Sequence, residues 1–331
     1  MKLQIGWPVV MFIILSTSIT TTIGKDYAKD WKFFSPSTWS FFGKREVCTH
    51  KFINPNFTKL NRDLHERVYG QHLINDVVVK AIQAHVESNV FKKALVLSFH
   101  GRTGSGKNFV SQIISESLFT KGMDSKFVHL FIPELHFPHK ELIRTYKDQL
   151  QNWIRGNISS CPYQLFIFDE MQSLLPELID VIKPFIDYHN HKIDGVDYRR
   201  AIYIFLSSTS GQEIADVALR TFKDGRKRES MTLKDYEGVI RSSSYSQQGT
   251  GLWHSKLIDH HLISHFVPFL PLEREHVRKC IQQEMRDQGW PQCTETENEV
   301  LNYLSFGPVN YELYAAKGCK NIHEKIYLVK W

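Results

Sequence analysis

Between residues 60 and 271 the chain alternates two kinds of apolar pattern. Five short runs are nearly continuous in apolar residues: ALVLSF at 94–99, FVHLFI at 127–132, QLFIFDE at 164–170, AIYIFLSS at 201–208 and HFVPFL at 265–270. Runs of this kind predict strands buried on both faces of a parallel sheet, because a strand with one wet face would alternate apolar with polar residues. Between the runs the spacing turns helical. Residues 61–87 carry apolar positions at helical intervals, broken at Gly70, and NFVSQIISESLF sets Phe109, Val110, Ile113, Ile114 and Leu118 along one helix face. Strand runs separated by helical stretches predict an α/β domain with helices covering a parallel sheet. Beyond Pro271 the strand pattern stops. LEREHVRKCIQQEMRDQG, ETENEVLNYLSF and YAAKGCKNIHEKIYLVKW all read as helical, which predicts a small helical domain over 272–331.

The start of the chain is different. Residues 1–24 read as a secretory signal, with Lys2 as the positive start, VVMFIILSTSI as the apolar run and TTIG as a small-residue exit near Gly24. The apolar run is short for a membrane span, so an uncleaved anchor is the lesser alternative, and either reading takes the folded part out of the cytosol. In the following segment, 25–59, Trp31, Phe33, Phe34, Trp39, Phe41 and Phe42 sit among few charges. Such a segment suits a membrane interface or a seat on the folded domain.

Composition narrows the class further. A chain of 331 residues with 42% hydrophobic content has ample core for one large domain and a smaller one, and is not disordered. The formal net charge is +6, but the densest basic run, GRKRE at 225–229, is short and reads as a solvated loop, so nucleic acid is not an expected partner. The sequons at Asn56 and Asn157 are candidate glycosylation sites and agree with a lumenal location. Five cysteines, Cys48, Cys161, Cys280, Cys293 and Cys319, are too few for a disulfide scaffold, and their odd number leaves at least one unpaired. No Cys/His spacing suggests zinc, and the histidines of DHHLISH (His260, His261, His265) read as a solvated or capping segment.

The chemistry sits at the ends of the strand runs. ALVLSF leads into GRTGSGKN and then into the amphipathic helix, the strand, glycine-rich turn and helix order of a P-loop. Backbone N–H groups of such a turn, with the helix N-terminus behind them, cradle phosphate oxygens. Gly101, Arg102, Thr103, Gly104, Ser105, Gly106, Lys107 and Asn108 are therefore the candidate nucleotide-binding residues, with Lys107 neutralising the β- and γ-phosphates. Asn108 stands where a P-loop ordinarily has the Ser or Thr that holds magnesium. The run QLFIFDE ends in two carboxylates that would be costly at a strand end without a cation. Asp169 suits Mg2+, directly or through water, and Glu170 the general base that takes a proton from the attacking water. A polar side chain at the end of a neighbouring strand would hold that water, and SSTS offers Ser207, Ser208 and Thr209.

With those motifs laid out, the sequence resembles the torsins, lumenal AAA+ ATPases of the endoplasmic reticulum and nuclear envelope. GRTGSGKNFV resembles the torsin Walker A motif, in which Asn replaces Ser/Thr; FIFDEMQSL resembles Walker B; PFLPLEREHVRKC resembles the stretch leading into the lid; and KGCK resembles the sensor-2 motif. The resemblance implies a P-loop AAA+ domain over 60–271 and a helical lid over 272–331. It further implies ATP and Mg2+ as cofactors, with Asn108 and Asp169 on the magnesium and Lys320 reaching the γ-phosphate from the lid. Torsins lack their own arginine finger and depend on the lumenal domain of a lamina-associated-polypeptide-type transmembrane activator, so such a partner and self-assembly are implied, with turnover weak in its absence. The missing charge matters, since an arginine finger can be worth about 10³ to 10⁵ in turnover. The resemblance also pairs Cys280 with Cys319, a redox-responsive bond beside Lys320, and Cys48 with Cys161 as a structural bond. Two positions depart from the family: Ser208 stands where the sensor-1 residue is usually Asn, and Asn310 and Tyr311 stand where an acidic pair serves activator contact. Ser208 keeps open a second reading, an ATP-gated scaffold with little hydrolysis. A threading disaggregase would need an aromatic-x-Gly pore loop, and residues 121–160 contain no convincing one.

Overall fold

The computed structural model describes residues 46–330, apart from 190, 247–250 and 253. The signal segment, Trp31 to Phe42 and the rest of the chain before Glu46 lie outside the described residues. Asn56 opens helix α1 (Phe57–Arg67), its side-chain oxygen accepting from the Lys59 N–H at 2.8 Å. Gly70, at φ +67°, turns the chain into α2 (His72–Val86), where the 61–87 pattern breaks. Five strands follow as the apolar runs predict: β1 (Leu95–His100), β2 (Val128–Phe131), β3 (Leu165–Phe168), β4 (Ile202–Ser207) and β5 (His265–Pro268). They form one all-parallel sheet in the order β2-β3-β4-β1-β5. In space β4 therefore lies between the strand that feeds the glycine-rich turn and the strand that ends at Asp169.

Alternate residues of these strands serve two different layers, as the two-residue period of a strand requires. Leu97, Phe99, Ile167 and Ile204 share a buried cluster with Ile74, Val78 and Ile82 of α2 and with Val110, Ile113 and Ile114 of the helix after the glycines, α3 (Lys107–Leu118). On the opposite face Phe131 stacks on Phe168 at 4.7 Å between ring centroids and Phe166 on Tyr203 at 4.9 Å, and Trp153 of the helix Ile143–Ser160 meets Phe131 edge-on. Ring-to-ring packing of this kind adds roughly 0.5–1.5 kcal/mol per pair beyond the area buried. Phe109, expected on the buried face of α3, is only partly buried, and the Arg67 guanidinium lies 5.0 Å from its ring.

After Pro271 a second apolar cluster forms around Val277, Ile281, Met285, Val300, Leu301, Ile322 and Ile326. It is built by helices Arg274–Asp287, Thr294–Asn302 and Ile322–Lys330. The expectation of an all-helical segment needs correction at one point: Phe306–Gly307 pairs antiparallel with Tyr314–Ala315, and residues 316–321 form turns before the last helix begins. Leu272 explains the pairing, since its carbonyl accepts from the Ala315 N–H at 2.8 Å and draws the chain into a short extended stretch. GRKRE also differs from a solvated loop at one residue. The Arg228 side chain is only 9% exposed, and its guanidinium donates to the Gly70 carbonyl at 2.6 Å and to Glu273 at 3.1 Å. The cation is thus used to join the α1–α2 turn to the start of the C-terminal helices.

Candidate functional site

The sheet register determines where the motifs meet. His100 pairs with Ser207 and Phe168 with Phe205, so β1, β3 and β4 deliver their C-terminal ends side by side. Open α/β sheets bind ligands in the crevice beyond those ends. A cleft of about 380 Å³ lies there, lined by Thr103, Gly104, Gly106, Lys107, Asn108, Asp169, Glu170, Gln172, Ser208 and Lys320 among others. Gly101, Arg102 and Ser105 hold the loop from behind instead. The Ser105 hydroxyl donates to the Arg102 carbonyl at 2.7 Å, and Arg102 lines the adjoining groove with Lys317 and Gln212.

Two glycines are required by conformation. Gly106 caps α3 at φ +106°, and open space lies where its Cβ would be. Gly104, at φ +79°, would carry a Cβ 1.9 Å from the Lys317 carbonyl oxygen, so only glycine lets the C-terminal turns sit on the loop. The Cys319 N–H seals that contact by donating to the Gly104 carbonyl at 3.1 Å.

Lys107 is nearly buried, and its ammonium donates to the Gly101 and Arg102 carbonyls at 2.7 and 3.1 Å. Burial pulls it down to about 8, with Asp169 and Glu170 pulling the other way. Across the cleft the Asn108 amide donates to Asp169 at 2.5 Å, placing an amide and a carboxylate together, the hard oxygen-donor chemistry that suits magnesium. The second Asp169 oxygen accepts from the Glu170 N–H at 2.8 Å. Glu170 sits at φ +47°, a left-handed conformation that a non-glycine residue adopts at some cost, and its exposed side chain lines the cleft. The residues therefore fit a nucleotide triphosphate with magnesium: phosphate-facing backbone and cation on one wall, two carboxylates on the other.

Three supporting residues escaped the sequence reading. Buried Gln71 donates to the Ser105 and Leu270 carbonyls at 3.1 and 2.9 Å and accepts from the Leu270 N–H at 2.8 Å, tying the glycine-rich loop to the exit of β5. Gln172 accepts from the Ser208 N–H at 3.2 Å. Buried His100, pushed down to about 3 by burial, joins Ser98 at 2.7 Å and lies 3.5 Å from the Thr209 hydroxyl, which in turn meets Ser207 at 2.6 Å. Gln71 precedes α2, Gln172 lies in the turn after Glu170 and His100 ends β1, and no shared motif or spacing marks the three in the sequence.

The cysteines pair as the resemblance implied. Cys48 is bonded to Cys161 and Cys280 to Cys319, with Cα separations of 5.5 and 6.1 Å, leaving Cys293 free. Cys319 lines the cleft, so the second bond sits at its edge. Asn56 is exposed, whereas Asn157 lies within a helix with its amide donating to the Trp153 carbonyl at 2.8 Å. His260 and His261 are exposed and accept from Lys183 and Arg241 at 3.4 and 3.0 Å. Tyr311 is exposed and its ring meets Phe222 edge-on at 6.1 Å.

Sheet order, phosphate loop and paired strand-end carboxylates define an AAA+ ATPase fold. Solved structures agree on the fold. The chain resembles Hsp104 of S. cerevisiae in its ADP complex with a TM-score of 0.57 at 15% identity, over 82% of this chain and 46% of that one. A closed state of Hsp104 with ATPγS and FITC casein gives 0.55 at 16% identity over the same shares, so this chain spans a little under half the length of those structural relatives. Within that class the sequence comparisons are specific: residues 42–168 match the Torsin family model and residues 272–328 the model of the Torsin-1A C-terminal domain. A Torsin-like protein of Caenorhabditis elegans is 40% identical over 283 residues, 85% of this chain and 79% of that protein. The chain belongs to the torsin family.

Proposed function

We propose that this chain is a Mg-ATP hydrolase of the endoplasmic reticulum and nuclear-envelope lumen that is completed by an activator and remodels protein or membrane-linked assemblies. The observation that carries it is the convergence of Lys107, Asn108, Asp169 and Glu170 in one cleft at the strand ends. Lys107 exchanges its two carbonyl partners for phosphate oxygens, Glu170 takes the proton of the attacking water, and Lys320 reaches the γ-phosphate from the C-terminal turns. Asp169 and Asn108 would hold magnesium, which would supply charge neutralisation to the bound phosphates. The arginine that stabilises the transferring phosphoryl group comes from the lumenal domain of a lamina-associated-polypeptide-type transmembrane partner, and the chain assembles with itself or with that partner. The signal reading of residues 1–24, the two disulfides and the accessible sequon at Asn56 support the lumenal location, and the aromatic residues 31–42 supply a peripheral membrane contact. The Cys280–Cys319 bond beside Lys320 couples nucleotide affinity to the redox poise of the lumen.

The test is steady-state hydrolysis by the purified protein, alone and with a candidate activator's lumenal domain, beside Glu170→Gln. Turnover that appears with activator and disappears in the variant supports the reading. Tight ATP binding without turnover under every condition would replace it with the ATP-gated scaffold that the short Ser208 side chain favours.

A further inference from the structure

Ser208 follows the last residue of β4 and lines the cleft with a short hydroxyl side chain, and the cleft wall beside it carries the amide of Gln172. Gln172 stands two residues beyond Glu170 in the single turn Met171–Ser173, and the left-handed backbone of Glu170 starts that turn and brings the chain back against the end of β4. There the Gln172 Oε1 accepts from the Ser208 N–H at 3.2 Å and lies 3.5 Å from the Ser207 hydroxyl. Behind Ser207, the Thr209 hydroxyl at 2.6 Å and buried neutral His100 continue the chain of polar contacts into the sheet. The amide is therefore fixed through its oxygen. An amide pinned that way presents its NH2 group as a donor, and Gln172 Nε2 has no hydrogen-bond partner among the described residues. Gln172 lines the same cleft as Lys107, Asp169 and Glu170.

From this geometry we infer that Gln172 is a substrate-contacting residue of the site, its Nε2 donating to a γ-phosphate oxygen of the bound nucleotide, with Ser208 acting through its backbone N–H as the anchor. The inference rests on the ATPase reading and adds Gln172 to the side chains that tell ATP from ADP. A donor aimed at the γ-phosphate contributes to triphosphate binding and nothing to diphosphate binding, because ADP leaves its partner absent. A residue that merely braces the end of β4 would affect both nucleotides alike.

The experiment measures dissociation constants of the purified protein for a non-hydrolysable ATP analogue and for ADP, both with magnesium, in the native sequence, Gln172→Ala, Gln172→Glu and Gln172→Ala/Ser208→Asn. Losing a charge-assisted hydrogen bond predicts a weakening of about tenfold or more for the analogue in Gln172→Ala, with ADP affinity changed less than about twofold. Gln172→Glu keeps an oxygen for the Ser208 N–H but turns the donor into a like charge, so it should lose at least as much. Ser208→Asn, which brings a new amide to the strand end, should recover part of the loss. Equal losses for the two nucleotides, or no loss for either, overturn the inference while leaving the ATPase reading in place. A native chain that is folded and binds neither nucleotide overturns both.

Discussion

Lys107 shows how a site residue can be held ready and restrained at once. Its ammonium is nearly buried against two carbonyls, and burial leaves it with an affinity for protons far below that of a solvated lysine. Phosphate binds the protonated form, and above about 8 the nucleotide-free protein loses that form. ATP affinity should therefore weaken about twofold at pH 8 and about tenfold at pH 9 relative to pH 7, a fall that an ordinary lysine would postpone until above 10. Fluorescence titration across that range checks it, and a flat profile to pH 9 would contradict the burial argument. Gln71 makes the complementary case, since its side chain serves three backbone groups. Gln71→Ala should cost about 1–3 kcal/mol in denaturant unfolding, because buried backbone donors and acceptors lose their partners, and should loosen ATP binding as well. At this scale the sequence was legible where motif order names the residue: Lys107, Asn108, Asp169 and Glu170 all lie in the cleft. Gln71, His100 and Gln172 were not legible. Their roles come from contacts across 199, 109 and 36 residues of chain, which no local pattern encodes.

Elements explain why those side chains converge. The five apolar runs became strands with ends within about two residues of expectation, since a strand buried on both faces admits few polar residues and its ends are marked by their return. The C-terminal region was less legible. Helical spacing was correct for Arg274–Asp287, but residues 314–321 carry the same residue types and fold as an extended pair and turns, because Leu272 and Gly104 offer backbone partners that a helix could not use. That turn rests directly on the phosphate loop: a Cβ on Gly318, at φ +50°, would lie 2.2 Å from the Gly104 carbonyl oxygen. Gly318→Ala, a change outside the phosphate loop, should add about 1–2 kcal/mol of backbone strain and push the two turns apart. We expect a lower melting temperature together with at least tenfold weaker ATP binding; unchanged nucleotide affinity would show that the contact between the turns does not matter to the site.

For the whole molecule, the two disulfides divide their work. Cys48–Cys161 spans 113 residues and joins the segment before α1 to the end of the helix Ile143–Ser160, away from the cleft lining. Breaking it with Cys48→Ser should cost about 2–5 kcal/mol in unfolding free energy while leaving the ratio of ATP to ADP affinity intact. A shift in that ratio would mean that the bond reaches the site. Cys280–Cys319 closes a shorter span of 39 residues at the cleft edge, and there reduction should alter nucleotide affinity more than stability. The nucleotide-affinity expectations all depend on the cleft at the strand ends serving as a Mg-ATP site worked by Lys107, and that dependence is open to direct test. It is tested most directly by calorimetric titration of Mg-ATP into the purified protein and into Lys107→Ala, with both shown to be folded. Saturable binding at one site per chain is expected for the native sequence and none for the variant. Equal binding by the two, or none by a folded native chain, would contradict it.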